Sequence, residues 1–221
     1  MLRLILKDIL IQKKTLLTAF IYGFFAIYVF GVKYYTNGGF VAGAVAIGYL
    51  FITYAVSYDD KNNCHIALNS LPVKRIEVVL AKYLSVVLFG CIGIFTMIID
   101  GFLAELFGFA MPKNYVAINN VLMVFGVLLV MYSIYYPLYF RFGAVKMNIV
   151  NVFLFMTIIV LPKALGEFIL NHENNPLIKE VLNFIRNSPK SVIQILSFAA
   201  VALISLISIG TSTRIYKSKD F

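Results

Sequence analysis

Tyr58 to Tyr83 read YDDKNNCHIALNSLPVKRIEVVLAKY, which is the longest charged interruption between apolar stretches in the first half of the chain. The interruption begins and ends abruptly, and the sequence on each side reads as an apolar helix. We therefore expect membrane helices on both sides, with this segment held at a membrane surface.

The whole chain has the composition of an integral membrane protein. Of its 221 residues, 61% are hydrophobic and 13% are charged, and the mean hydropathy is +0.89. A water-soluble domain of this size would not tolerate so much apolar surface. The basic residues behind the net charge of +9 lie in short segments between apolar runs, where they act as topology signals. The sequence predicts an all-α membrane protein and no nucleic-acid partner.

Six apolar stretches are long enough to cross a bilayer, since its hydrocarbon core needs about 20 residues of helix. The third is too long for one straight crossing, so we expect it to reach the outer interface near Asp100 and to continue as an interfacial or re-entrant piece. The stretches are approximately Thr15 to Val32, Phe40 to Ser57, Val78 to Phe109, Val116 to Phe140, Val145 to Leu170 and Ser191 to Thr213.

An amphipathic helix precedes the first span. Within residues 1–14, Arg3, Lys7 and Lys14 gather on one face, and the leucines and isoleucines share another. This pattern is typical of a helix that lies in the membrane interface with its basic side towards anionic headgroups. The alternative, the basic start of a secretory signal, lacks a small-residue cleavage site after the apolar run.

The basic residues also predict the orientation of the chain. With a cytoplasmic N-terminus, thirteen Lys and Arg residues fall in inner segments and six in outer ones. Both termini are therefore expected in the cytoplasm, within a single transmembrane domain over residues 1–221. Residues 162–190 would form an extracellular segment, in which Pro176 and Pro189 bracket a short amphipathic helix or, alternatively, a solvated loop with one packed turn.

Tyrosines crowd the predicted cytoplasmic end of the fourth span, where amphipathic rings prefer the headgroup level. Pro137 lies among them and lacks a backbone donor, so the helix is expected to bend there. The bend is either part of an interfacial anchor or a gating hinge on a transport path. The tyrosines are Tyr132, Tyr135, Tyr136 and Tyr139.

Two carboxylates near the end of the third span are candidates for a translocation path. A charge at mid-membrane costs at least about 2.5 kcal/mol, so intramembrane acids are functional suspects. Counting about 20 residues from Val78 places Asp100 near the outer interface. A hydrated interfacial carboxylate is favoured there, and a proton or substrate site remains open. Glu105 follows five residues later and does not share a face with Asp100 on a straight helix.

Motifs of catalysis and nucleotide binding are absent from the sequence. It contains no Gly-rich loop ending in Lys-Ser or Lys-Thr, no His-Glu-x-x-His and no Gly-x-Ser-x-Gly. His65 and His172 are predicted on opposite sides of the membrane, and Cys64 and Cys91 lie in different environments. We therefore expect no enzyme, no metal site and no disulfide in this chain.

The 58–77 segment has the signals of a short helix followed by a corner. Asp59 and Asp60 can cap a helix through Asn62 to Asn69. Pro72 blocks continuation of that helix and permits a new one close after it. A compact helix across the inner ends of two spans could receive a push from a soluble partner, or it could be a solvated connection without one.

The progression Tyr-Asp-Asp-Lys-Asn, Leu-Asn-Ser-Leu-Pro-Val-Lys-Arg and Ala-Lys-Tyr within Tyr58 to Tyr83 resembles the ABC-2-type permeases of ATP-binding-cassette exporters. The similarity includes the basic N-terminal helix and the six spans, so it covers essentially the whole chain. It is strongest to small permeases of bacterial exporters of amphipathic peptides, including the phenol-soluble modulin type, and of antimicrobial-peptide resistance systems.

The resemblance implies that the 58–77 segment is a coupling helix resting on an ATPase subunit. The chain would be a permease of the bacterial plasma membrane, paired with itself or a sister permease. Two separate ATPases would bind ATP and Mg, and the complex would export amphipathic peptides or hydrophobic antibiotics. The implied coupling residues are Asp59, Asp60, Lys61, Leu68, Pro72 and Arg75, and the candidates for the translocation path are Asp100, Glu105 and Pro137.

Two other classes of protein remain as alternatives. A substrate-binding membrane component of an ATPase-driven vitamin uptake system has a similar length, and the small residues Ala42, Gly43 and Ala46 could serve close helix packing in it. A membrane scaffold without transport is the other alternative. The leading amphipathic helix and the large cytoplasmic loop after the second span favour the permease.

Overall fold

The computed structural model describes residues 2–12, 15–34, 38–62, 64, 74–108, 116–172 and 175–218. Within these residues the regular secondary structure is helical, as the sequence predicts. The helices are α1 (Leu2–Ile11), α2 (Thr15–Tyr34), α3 (Gly38–Lys61), α4 (Arg75–Leu106), α5 (Ile118–Phe142), α6 (Ala144–Asn171), α7 (Pro176–Asn187) and α8 (Lys190–Lys217).

Four helices of the described part, α3, α4, α5 and α8, are long and apolar enough to cross a membrane. This finding supports the membrane class. The six predicted spans coincide with α2, α3, α4, α5, α6 and α8, although the number of crossings stays a prediction. The short helix expected between Pro176 and Pro189 is confirmed as α7, and Pro189 occupies the N-cap position of α8.

α4 is the central helix of the bundle, because it packs against α1, α2, α3, α5 and α8. It approaches α3 closely at Gly93. A side-chain carbon at Gly93 would lie 2.6 Å from the carbonyl oxygen of Ala44, so only glycine allows this backbone distance. Close packing through small residues is thus present, and Ala44 lies between Gly43 and Ala46, which were noted in the sequence.

The expectation of a re-entrant piece after Asp100 is wrong within the described residues, whereas an outer interface near Asp100 stays a prediction. α4 is one uninterrupted helix of 32 residues from Arg75 to Leu106. No proline lies within it, and an isolated glycine such as Gly101 costs only about 1 kcal/mol relative to alanine, which leaves the helix intact. Its length of about 48 Å exceeds the hydrocarbon thickness of about 30 Å, so α4 is tilted or extends beyond the bilayer core.

The tyrosines of α5 pack inside the bundle, so three of the rings do not face lipid headgroups, and their depth at the headgroup level stays a prediction. Tyr132, Tyr135 and Tyr136 are at most 1% exposed, whereas Tyr139 is half-buried. The three buried rings pack against one another with centroids 5.4 to 5.8 Å apart. Burial is tolerated where the hydroxyl finds an acceptor, and Tyr136 donates to the carbonyl oxygen of Lys82 at 3.2 Å.

Candidate functional site

Four charged side chains meet where α1, α3 and α4 converge. Lys7 and Asp8 come from α1, Asp59 from α3 and Lys82 from α4; we call them the charge cluster. Lys82 Nζ lies 2.5 Å from Asp59 Oδ2 and 3.2 Å from Asp8 Oδ2. Lys7 pairs with Asp59 and its Nζ lies 3.3 Å from Asp8 Oδ1. With two ammonium and two carboxylate groups, the charge cluster is electrically balanced.

The charge cluster is largely removed from solvent. Asp8, Asp59 and Lys82 are 3%, 5% and 7% exposed, and Ser85 adds a hydrogen bond of 3.0 Å to Asp8 Oδ2. Buried charges are stable only when they are paired and hydrogen-bonded. Pulling α3 or α4 away would leave one charge uncompensated, and pulling α1 away would remove one partner from both Asp59 and Lys82. The cluster therefore holds α1, α3 and α4 together.

The charge cluster joins the two helices that contain the ends of the 58–77 segment. Asp59 lies in the last turn of α3, and Lys82 lies about two turns into α4. Residues 62–74, between these helices, are the middle of the 58–77 segment that the resemblance assigns to ATPase coupling. Leu68 and Pro72 lie outside the described residues, and Lys61 is exposed at the end of α3.

The predicted helix-capping role of Asp59 is wrong. α3 continues through Asp59 and Asp60 to Lys61, so both acids are inside its last turn. The Asp59 carboxylate accepts from the two lysines of the charge cluster, and Asp60 is half-buried beside it. The capping argument missed this because it considered only local backbone donors. Most of the helix predicted over Asn62 to Asn69 lies outside the described residues.

Arg75 connects the start of α4 to the end of α8. Its Nη1 donates to the carbonyl oxygens of Lys217 at 2.6 Å and Tyr216 at 3.4 Å. The last carbonyls of a helix have no intrahelical donors, and a cation suits the negative end of the helix dipole. Arg75 therefore has a structural contact within the chain, in addition to the coupling role that the resemblance implies.

Pro137 lies within α5, and a hydroxyl group from α8 compensates for its missing N–H. The carbonyl that loses its donor belongs to Ser133, four residues earlier. Ser208 Oγ donates to this carbonyl oxygen at 2.5 Å. Tyr83 Oη lies 2.5 Å from Ser208 Oγ and 3.1 Å from Ser212 Oγ. We call Tyr83, Ser133, Ser208 and Ser212 the hydroxyl network, which joins α4, α5 and α8.

The three residues predicted for a translocation path are not brought together. Asp100 is 1% exposed, whereas Glu105 is exposed. Asp100 lies about 27 Å along α4 from Lys82, which is close to the hydrocarbon thickness. Pro137 follows Tyr136, whose hydroxyl reaches the Lys82 backbone, so it lies at the charge-cluster end of the bundle.

Asp8 is a functional candidate that the sequence reasoning missed, and the roles of Lys7 and Lys82 in the charge cluster were missed as well. Asp8 is buried together with Ile5, which the sequence groups with the other apolar residues of α1, and with Gln12, which follows the end of α1. Gln12 Nε2 donates to a backbone carbonyl of α3 at 2.6 Å. Leu6 and Leu10 point away from the bundle and are more than half exposed. The spacing of one acid and one amide with Ile5 was the signal that could have revealed this docking face.

Comparison with known families agrees with this architecture. A family profile described as ABC-2 family transporter protein matches residues 3–217. Searches of curated proteins and of solved structures gave no significant match. The matched region includes the 58–77 segment, the charge cluster and, apart from Leu2, every helix of the described residues. The chain therefore belongs to the ABC-2 family of transporter proteins.

Proposed function

We propose that this chain is the transmembrane permease subunit of an ATP-binding-cassette exporter in a bacterial plasma membrane. It works with a second permease, identical or related, and with two separate ATPases that bind ATP and Mg. The family match and the apolar helices support this assignment over the vitamin-uptake and scaffold alternatives. In this proposal the 58–77 segment receives the movement of the ATPases.

The observation that carries the proposal is the charge cluster at the base of the 58–77 segment. Domain closure can move a rigid element of a partner by several ångströms, but a loose connection would absorb the movement. The ion pair of Asp59 and Lys82 connects α3 to α4, the two helices that contain the ends of the segment. Asp8 pairs with Lys82 and so connects α4 to α1. A push on the segment is therefore passed to three helices as one unit.

We propose amphipathic peptides or hydrophobic antibiotics as substrates. The chain is 15% aromatic and 13% charged. It therefore has few charged side chains that could bind a small polar solute along a transport path. A cleft of ≈ 610 Å³ between α5 and α8 has walls that include Met123, Val127 and Phe198. At one end of it, Gln194 donates to Asn119 at 2.8 Å. An apolar cleft with a polar end suits an amphipathic molecule.

The ATPase partnership is tested by Leu68→Ala. The tagged permease is purified from its native membranes, and co-purified P-loop ATPase is identified by mass spectrometry. We expect Leu68→Ala to reduce ATPase recovery, or the peptide stimulation of hydrolysis, without changing membrane insertion. Leu106→Ala is the matched control, because Leu106 is exposed at the opposite end of α4. Normal recovery together with normal stimulation in Leu68→Ala would reject the coupling role.

Substrate class is tested separately by gene deletion. Efflux of cationic amphipathic peptides should fall in the deletion strain, and sensitivity to them should rise. Unchanged efflux and unchanged sensitivity would reject this substrate class and leave the permease role intact. The scaffold alternative predicts that no flux depends on an ATPase partner.

A further inference from the structure

Asp100 carries a buried carboxylate without a counter-ion among the described residues. The side chain is 1% exposed, and its Oδ2 has no hydrogen-bond partner in that part of the chain. The two buried carboxylates of the charge cluster, by contrast, each contact two lysines. A buried polar group without a partner is costly, and an ionisable residue in a membrane helix is a functional candidate for that reason.

α2 is shaped to accommodate this carboxylate. The carboxylate lies against the backbone of α2 at Gly23, where a side-chain carbon would overlap Asp100 Oδ2 and lie 3.0 Å from its Cγ. Glycine is an unfavourable residue inside a helix. Because Gly23 has no side chain, the Asp100 carboxylate fits against α2. The burial of the acid therefore depends on glycine at position 23.

Asp100 lines an open cleft between α2 and α4. The cleft has a volume of ≈ 510 Å³, and Asp100 is the only ionisable residue among its described lining residues. The walls are apolar and aromatic, and phenyl rings attract cations through their faces. The other described lining residues are Phe20, Ile21, Phe24, Phe25 and Leu103.

We propose that this cleft binds the ammonium group of a cationic amphiphile. The ammonium pairs with the Asp100 carboxylate, and the apolar chain lies along Phe20, Phe24 and Phe25. A single carboxylate supplies too few oxygen ligands for a divalent cation, and an anion would be repelled. The proposal deepens the proposed function, because a cationic amphipathic peptide carries such a group. Binding requires neither an ATPase nor transport, so each proposal can fail alone.

Binding is measured with a tryptophan reporter, since the chain contains no tryptophan. Phe25→Trp keeps an aromatic ring on the cleft wall. The probe is dodecylammonium with a terminal bromine, which quenches tryptophan, and the matched probe is the bromine-labelled dodecanol. The protein is held in dodecyl maltoside micelles, whose headgroup is uncharged. We expect saturable quenching by the ammonium at lower concentration than by the alcohol.

Substitutions in the reporter background test the role of the carboxylate. Asp100→Asn should raise the half-quenching concentration by about 30-fold or more, because removing one partner of a buried charge pair costs about 2 kcal/mol or more. Gly23→Ala, which keeps the acid and displaces it, should also weaken quenching. Glu180→Gln is the control for a general loss of negative charge, because Glu180 is exposed on α7. Equal quenching of Asp100→Asn and the parent, or equal affinity for both probes, would overturn the proposal.

The source of the ammonium is distinguished by competition. Phosphatidylethanolamine added to the micelles would displace the probe if the site takes an aminolipid headgroup. A lysine-containing amphipathic peptide would displace it if the site takes part in peptide export. Displacement by either supports the site, whereas displacement by neither would contradict it.

Discussion

At the scale of single residues, Pro137 and Ser208 form an interdependent pair. Proline removes the donor for the Ser133 carbonyl, and the Ser208 hydroxyl replaces it across the interface between α5 and α8. Membrane proteins tolerate proline within helices when a neighbouring helix satisfies the freed carbonyl in this way.

We predict that Ser208→Ala lowers the free energy of unfolding by about 1–2 kcal/mol, because it leaves a buried carbonyl unsatisfied. Unfolding in detergent measures this loss. In a Pro137→Ala background the loss should shrink, since the restored N–H can bond to Ser133. Ser197→Ala is the control, because Ser197 is exposed and bonds within α8. Strict additivity of Pro137→Ala and Ser208→Ala would contradict the pairing.

The charge cluster predicts a large effect for one lysine. Lys82→Met should lower the free energy of unfolding by about 3–5 kcal/mol, because both Asp8 and Asp59 lose a buried partner. Lys146→Met removes an exposed lysine and should have little effect. Both variants can be compared by thermal unfolding in the same detergent.

A double substitution separates the charge effect from lost packing. If pairing dominates, adding Asp8→Asn to Lys82→Met should cost less than the two single losses combined. A Lys82→Met variant as stable as the parent would show that the cluster contributes nothing to the bundle.

At the scale of secondary-structure elements, α4 collects the contacts that organise the molecule. Its first residue, Arg75, holds the end of α8, and Lys82 holds α1 and α3. Next to Lys82, Tyr83 reaches two serines of α8. The N-terminal part of α4 is therefore held by polar contacts, whereas Asp100, near the C-terminal end of α4, lines an apolar cleft.

Arg75→Ala should loosen the end of α8. The donor to two terminal carbonyls is lost, so the backbone amides of the last turn of α8 should exchange hydrogen faster in mass-spectrometric measurements. Arg214→Ala is the control, because Arg214 is an exposed basic residue in the same turn. Unchanged hydrogen exchange in Arg75→Ala would show that Arg75 does not stabilise the end of α8. Any effect of Arg75→Ala on ATPase binding would then be attributed to its coupling role.

At the scale of the whole molecule, Cys64 reports which side of the membrane holds the 58–77 segment. In a Cys91→Ser background, a membrane-impermeant maleimide should label Cys64 in inside-out vesicles and not in right-side-out ones. Burial raises the pKa of the Cys64 thiol, and the Asp59 carboxylate nearby acts in the same direction. Because only the thiolate reacts, labelling at pH 7 should be slower than that of a free cysteine and should accelerate as the pH rises. Labelling from the outer side alone would reverse the proposed topology.

The sequence by itself determined the elements of this protein. Apolar runs of about 20 residues and the prolines at 176 and 189 predicted the positions of the helices, because length and periodicity are local properties of the chain. The motif within Tyr58 to Tyr83 predicted the family, which the profile match over residues 3–217 confirmed. The length of the apolar stretch and its acidic residues suggested a re-entrant piece after Asp100, but α4 continues as a helix to Leu106.

Only the tertiary structure decided which polar groups meet. Asp8 and Lys82 are 74 positions apart, and Tyr83 and Ser208 are 125 apart. Hydropathy records how apolar a helix is, but it records neither the rotation of the helix nor its depth beside a neighbour. For this reason the sequence predicted Asp59 as a cap and the α5 tyrosines facing the headgroups. In the folded chain a buried charge or hydroxyl goes where a partner removes its desolvation cost, and such partners come from distant helices.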